Sequence, residues 1–370
     1  MIRVIGNKGV LEVIAIFTAV MLAGSAIVVA AVNTGNSSIV YDTLAAPLFA
    51  DFSYFLDATI ILILALLVLR RHSRYGNTAL FDALEAVVTS FTAFFALLLV
   101  FAVLMPQSVD SGLAYVYSAT IAVALIILKE RLPKLRDLAT AVSSIGVGLV
   151  LGLNFQFWYA ILIFGAVAVY DYVAVFRTRE MTALANTVSS NNLSFLISVA
   201  DLESVPKQGL SDAEVASYMK YLSDSHEVDD PRFKRILKSG RLPVMSQVSL
   251  GEGDLCLPLM AAVSAYVTFG SVMLAIVLLG AVMGIVATMA MLKMYKHPIP
   301  AIPPLFAFVC LPAGIALLRA GAGSSAYLWA AILVIVSALV LFIDMVTVVS
   351  RMRRGGAHAP RGRKGRKRHG

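Results

Sequence analysis

Ten apolar stretches, each long enough to cross a hydrocarbon core as a helix, decide what this chain can fold into. They lie at 10–31, 53–69, 84–105, 112–128, 137–153, 157–175, 250–269, 271–292, 300–318 and 326–349. A crossing takes about 20 helical residues, or about 17 at the low end. Without water to satisfy backbone N–H and C=O groups in the bilayer, each stretch is committed to helix. The expected fold class is an all-α polytopic membrane protein. Composition agrees, with 59% hydrophobic and 14% charged residues and a mean hydropathy of +0.85, outside the balance of a soluble domain. The first stretch follows Arg3 and Lys8 but exceeds a secretory h-region of about 7 to 15 residues, and no small-residue cleavage site follows it, so a retained helix is expected.

Basic loops stay cytoplasmic. With the N-terminus inside, the short inside segments carry 11 Lys and Arg residues and the outside carries only Arg319, so both termini are expected to be cytoplasmic. The formal charge of +8 belongs to the tail, whose last twenty residues hold nine Lys or Arg and no acid. Arg361, Arg363, Lys364, Arg366, Lys367 and Arg368 follow a span closely, which makes anionic lipid headgroups their nearest partners. A disordered topology anchor is the favoured reading of this tail, ahead of a specific lipid site, and no nucleic-acid partner is expected. Cys256 and Cys310 both fall inside spans and define no disulfide framework.

The chain divides into a six-span part (1–175), a cytoplasmic loop (176–249), spans seven to nine (250–320), a tenth span (321–350) and the basic tail (351–370). No repeat is evident, and the spans are read as one bundle. Within the loop, Ser211-Asp212-Ala213-Glu214 has capping-box spacing and is followed by Val215, Met219 and Leu222, which predicts a short amphipathic helix. The acidic stretch 223–231 is expected to be flexible.

Ionisable groups inside a bilayer are costly, so each is a functional hypothesis. His72, His226, His297, His358 and His369 all lie in loops or the tail, which removes the usual zinc ligands and the usual partner of a serine nucleophile from the membrane interior. No metal or other cofactor is expected. Asp171 in span six, Glu252 and Asp254 at the start of span seven, and Asp344 in span ten remain. Spans six and seven run in opposite directions, so Asp171 and Asp254 lie at similar depth, below the cytoplasmic surface. Two neighbouring carboxylates do not both ionise easily and hold one shared proton, which suits one to activate water and the other to protonate a carbonyl. A lone intramembrane Asp is as often a structural hydrogen-bonding group or part of an ion pathway. Glu252, two positions from Asp254, points elsewhere on a helix and is read as interfacial. Asp344 sits near the cytoplasmic end of its span with basic residues following, which favours a snorkelling or paired role.

Val169-Tyr170-Asp171-Tyr172-Val173-Ala174-Val175-Phe176 resembles the Tyr-Asp segment of the sixth helix of presenilins, the catalytic subunits of gamma-secretase. Gly251-Glu252-Gly253-Asp254 is similar to the Gly-x-Gly-Asp signature of the same superfamily, which includes the signal peptide peptidases, and Pro300-Ala301-Ile302-Pro303 looks like the Pro-Ala-Leu-Pro motif opening its ninth helix. The resemblance covers roughly residues 10–320. It implies a presenilin-type bundle of nine core helices, here with a tenth, and an intramembrane aspartyl protease acting on transmembrane segments of other proteins. It further implies that Asp171 and Asp254 are catalytic, that Tyr170, Gly251 and Gly253 support the site, and that Glu252 and 300–303 line it. The chain departs from the family at Glu252, where an apolar residue is usual, and in its tenth span.

Physical chemistry gives these motifs meanings of their own. Gly251 and Gly253 permit close backbone approach or unusual dihedral angles, or else tight helix packing. Pro298, Pro300, Pro303 and Pro304 break regular helix, and irregular backbone at membrane depth survives only when buried or facing a wet cavity, unless these prolines merely open a helix at the interface. Unpaired backbone near Pro300 to Pro303 is expected to hold an unwound substrate by edge addition. Two rival functions carry different marks. Leu128-Lys129-Glu130-Arg131-Leu132 before an apolar span is similar to a motif of ten-helix drug and metabolite transporters, whose inverted repeat has no second copy here. Prepilin-type peptidases share Gly-x-Gly-Asp but neither of the other motifs.

Overall fold

The computed structural model describes residues 7–33, 78–105, 111–178, 196–206, 235–236, 238–239, 241–295, 299–320 and 324–357. Helices α1 (Asn7–Asn33), α2 (Thr78–Leu104), α3 (Ser111–Arg131), α4 (Pro133–Asn154) and α5 (Phe157–Val173) come first. A π-helical turn, Ala174–Thr178, ends α5. Strands β1 (Leu196–Pro206) and β2 (Arg241–Gly251) follow, then α6 (Glu252–Phe269), α7 (Ser271–Tyr295), α8 (Ile302–Arg319) and α9 (Ser324–Ala357). Nine of the ten expected spans coincide with these helices; the tenth, 53–69, lies outside the described residues, as do the helix expected at 211–222 and the stretch 223–231. Eight described helices are long and apolar enough to cross a membrane. The remaining one, α6, carries two carboxylates in its first turn.

α6 is the centre of the bundle. Every residue from Leu255 to Ala265 is buried, so the helix is enclosed on all sides rather than along one stripe. Helices α1, α4, α5 and α7 surround it. Without a hydrophobic drive between helices in lipid, small residues must let them approach closely. A Cβ on Gly152 of α4 would stand 2.6 Å from Val263 Cβ and 2.8 Å from the Met260 carbonyl oxygen, closer than real atoms come. Ser264 Oγ donates to the Phe155 carbonyl at 2.7 Å, tying α6 to the end of α4. Gly270 takes φ 84°, a left-handed angle that suits glycine, and turns the chain from α6 into α7.

The pairing of α5 with α6 sets the depth of the acids. Phe157 at the start of α5 meets Phe269 at the end of α6, with ring centroids 5.3 Å apart, so the two helices are antiparallel. From that contact Asp171 lies about 21 Å along α5 and Asp254 about 22 Å back along α6, the same level by helical rise. α8 joins them there, Phe306 packing edge-on against Phe164 of α5 at 5.4 Å.

The sequence reading of the loop after α5 places a helix at 211–222 and says nothing of strands, and here the structure adds two. β1 and β2 pair antiparallel over eleven positions, from Leu196 opposite Gly251 to Pro206 opposite Arg241. Ile197 faces Leu250 and Val199 faces Val248, and all four are buried, which is the period-two pattern of a half-buried sheet. The sheet packs on α1 and α4.

Candidate active site

Asp171 is 4% exposed, in the last full turn of α5. Beyond it the backbone widens into the π-helical turn, a geometry often found at functional sites. Its Oδ2 accepts a hydrogen bond from the Ile302 amide at 3.2 Å, and the Ala301 amide also donates to the carboxyl. These are the first amides of α8, which have no acceptor within their own helix. The motif 300–303 therefore does something the sequence reading did not foresee. Pro300 and Pro303 have no N–H, and the two amides between them are used by Asp171, so the donors expected to hold a substrate strand are already engaged.

Asp254 is the third residue of α6 and half-buried. Its Oδ2 accepts from the Gly251 amide at 3.1 Å, one half of a capping box, which leaves Oδ1 for other work. Pro258, one turn on, has no N–H for the Asp254 carbonyl. The two carboxyl groups are within electrostatic reach of each other. Among the described residues no group of three or more His, Cys, Asp or Glu is arranged to hold a metal ion.

Among the described residues, no backbone from another element packs against Gly251 or Gly253. Gly251 has ordinary extended angles, φ −74° and ψ 151°, and a Cβ there would make only ordinary contact with Asp254. A Cβ on Gly253 would meet nothing within 4 Å, so open space adjoins the acid-bearing turn. Tyr170 is 61% exposed and points away from Asp171's enclosed side. The neighbouring Tyr172 is the tyrosine that ties elements together, its hydroxyl 2.8 Å from Thr347 Oγ1 on α9.

Glu252 turns from Asp171 toward α4, where Ser143 Oγ donates to its Oε1 at 2.6 Å; Ser143 in turn pairs with Thr92 of α2 at 2.7 Å. Sequence reading passed over Ser143 and Thr92 because hydroxyl residues are common in membrane helices and usually bond their own backbone. The chain of bonds moors the start of α6 to two neighbouring helices. Glu252→Leu is expected to lower thermal stability in detergent by ~1–2 kcal/mol through the lost charge-assisted bond, and Glu252→Gln, which keeps the acceptor oxygen, to remain near wild type. Equal unfolding midpoints for the Leu variant and wild type would remove the mooring role.

A profile of the family described as signal-peptide peptidase, presenilin aspartyl protease matches residues 14–322. A solved structure described as that of a presenilin family intramembrane aspartate protease in the C222 space group aligns over 82% of this chain and 97% of its own, at 18% identity and a TM-score of 0.48. No curated protein matches the chain by sequence.

Proposed function

The chain belongs to the signal-peptide peptidase and presenilin aspartyl protease family, and from that premise we propose that Asp171 and Asp254 are the catalytic pair with which it hydrolyses peptide bonds inside transmembrane segments of other membrane proteins. The observation that carries the reading is the placing of two carboxyls at one level on antiparallel α5 and α6, within electrostatic reach, inside an enclosed bundle.

The dyad holds one proton between its two members. The deprotonated carboxylate takes a proton from water as the oxygen attacks the scissile carbonyl carbon, and the protonated partner gives its proton to the carbonyl oxygen. The resulting gem-diol collapses: its hydroxyl returns a proton to the dyad, the C–N bond breaks, and the amine nitrogen takes a proton from the acid that first gained one. A carboxylic acid and an amine leave, and one proton remains on the pair. The backbone amides of Gly251, Ala301 and Ile302 hold the carboxyls in place throughout, so little reorganisation accompanies the reaction.

A helical substrate has every central amide bonded within itself and must unwind before water can attack. The two-stranded sheet ends at Gly251, beside Asp254, and among the described residues no third strand pairs with it, so in this reading an extended peptide adds at its edge. The open space at Gly253 gives the unwound bond room. Pro300, Ala301, Ile302 and Pro303 form the wall behind Asp171. The distribution of Lys and Arg supports a cytoplasmic side for both termini, the loop and the site, with the basic tail near anionic lipid.

The test is cleavage in proteoliposomes of a tagged single-span substrate, with the cut position mapped by mass spectrometry. Cuts within the apolar segment, toward its cytoplasmic end, are expected. Cuts confined to the soluble flank, or none, would overturn the reading.

A further inference from the structure

The family match stops at residue 322, and α9 lies wholly beyond it. That helix nevertheless carries a carboxylate into the bundle. Asp344 is 2% exposed, and among the described residues neither of its oxygens has a hydrogen-bond partner. A side chain snorkelling to the interface would be exposed, so the sequence expectation for this residue does not hold. Burying a carboxyl without a partner is costly, and an apolar residue at 344 would be cheaper.

Helix packing shows what it stands beside. α8 and α9 form an antiparallel hairpin, and at Gly314 an added Cβ would stand 2.8 Å from Val334 Cγ2 and 3.2 Å from the Ala330 carbonyl oxygen. Ile302 lies about 18 Å before Gly314 along α8, and Asp344 about the same distance past the middle of that contact along α9, which puts both on one level. Ile302 is the residue whose amide holds Asp171. One turn beyond Asp344, Thr347 bonds Tyr172, the residue after Asp171. Asp344 and Asp171 are within electrostatic reach.

We propose that Asp344 is a third acid of the active site, a positioning residue that acts through Asp171 and sets the pH window in which the dyad works. The inference rests on the protease reading given above. Other described groups are poorly placed to take its part. α8 contributes only Cys310, about 12 Å from Ile302 by helical rise, and Arg319 at its far end. α5 contributes Asp171 itself, the hydroxyl of Tyr172, already bonded to Thr347, the exposed Tyr170, and Tyr159, about 18 Å away by helical rise. On α9 the next ionisable side chains in sequence are Tyr327, near the opposite end, and Arg351, two turns on.

The experiment compares initial cleavage rates against pH for the full chain in proteoliposomes, using wild type, Asp344→Asn and Asp344→Glu, with Asp254→Asn as the inactive control. On the alkaline side, where Asp344 is ionised, its replacement removes a like charge from beside the dyad and is expected to move that limb of the bell-shaped profile toward acid by about one unit, close to a tenfold rate change there, and Asp344→Glu to restore it. A profile scaled by one factor at every pH, or left unmoved, overturns the proposal. If Asp344→Asn does not insert, Asp344→Ser takes its place; failure of both assigns the residue to folding and also overturns it. Wild-type protein that cleaves nothing would sink the protease reading instead, which keeps the two failures apart.

Discussion

Asp254→Asn and Asp171→Asn are each expected to cut the single-turnover rate by roughly 10³–10⁴-fold, while the protein inserts and unfolds as wild type does. The reason for choosing asparagine is geometric. Its carbonyl oxygen can still accept the Gly251 amide at one position, or the Ile302 amide at the other, so the start of α6 and the start of α8 keep their anchors. What is lost is the ability to take and return a proton at membrane depth. The two acids act as one unit, so the double variant should be scarcely slower than either single one. Either asparagine variant cleaving within about tenfold of wild type would remove that residue from the catalytic pair.

Gly253→Leu is expected to reduce kcat/KM by about 100-fold or more with no loss of stability, whereas Gly253→Ala stays well folded and loses far less. Among the described residues, no heavy atom beyond its chain neighbours and its own helix backbone lies within 4 Å of where a Cβ would sit, so a methyl group has room. A branched side chain extends into the space that adjoins Asp254, where water and the unwound bond must meet, and misplacing reacting atoms by about 1 Å costs on the order of 100-fold. The Leu variant should therefore resist heating as wild type does while failing to cleave. Wild-type cleavage by Gly253→Leu would show that the substrate does not use this space; a large drop in unfolding temperature would show that the space is filled in the folded protein.

Much of the architecture was readable in advance, because twenty apolar residues in lipid have one secondary structure available. The spans at 10–31, 271–292 and 326–349 appear as Asn7–Asn33, Ser271–Tyr295 and Ser324–Ala357, longer at the ends where polar residues continue the helix into the interface. The level shared by Asp171 and Asp254 followed from opposite helix direction alone. Side-chain direction did not. Nothing local tells that Tyr170 faces outward and Tyr172 inward toward Thr347, since one residue of rotation on a helix exchanges core for surface. Asp344 looked like an interfacial acid because Arg351 follows it; only the packing of α9 on α8 reveals that it faces the bundle. The strands were hidden by composition. Ile197-Ser198-Val199 and Val248-Ser249-Leu250 alternate as a half-buried sheet should, but each run is three residues long and the two lie about fifty residues apart in a polar loop.

β2 ends at Gly251 and α6 begins at Glu252, with no residue between them to absorb slack. The hairpin is thus a ruler for the acid. Because Leu196 is paired with Gly251, the height of Asp254 is fixed by strand register as well as by helix packing. A slip of one residue in that pairing would draw the start of α6 by about 3.4 Å and turn the strand's inward side chains outward. A peptide that docks on the sheet and pulls on it would be felt at the carboxyl without passing through any hinge, so grip and cut are mechanically one piece.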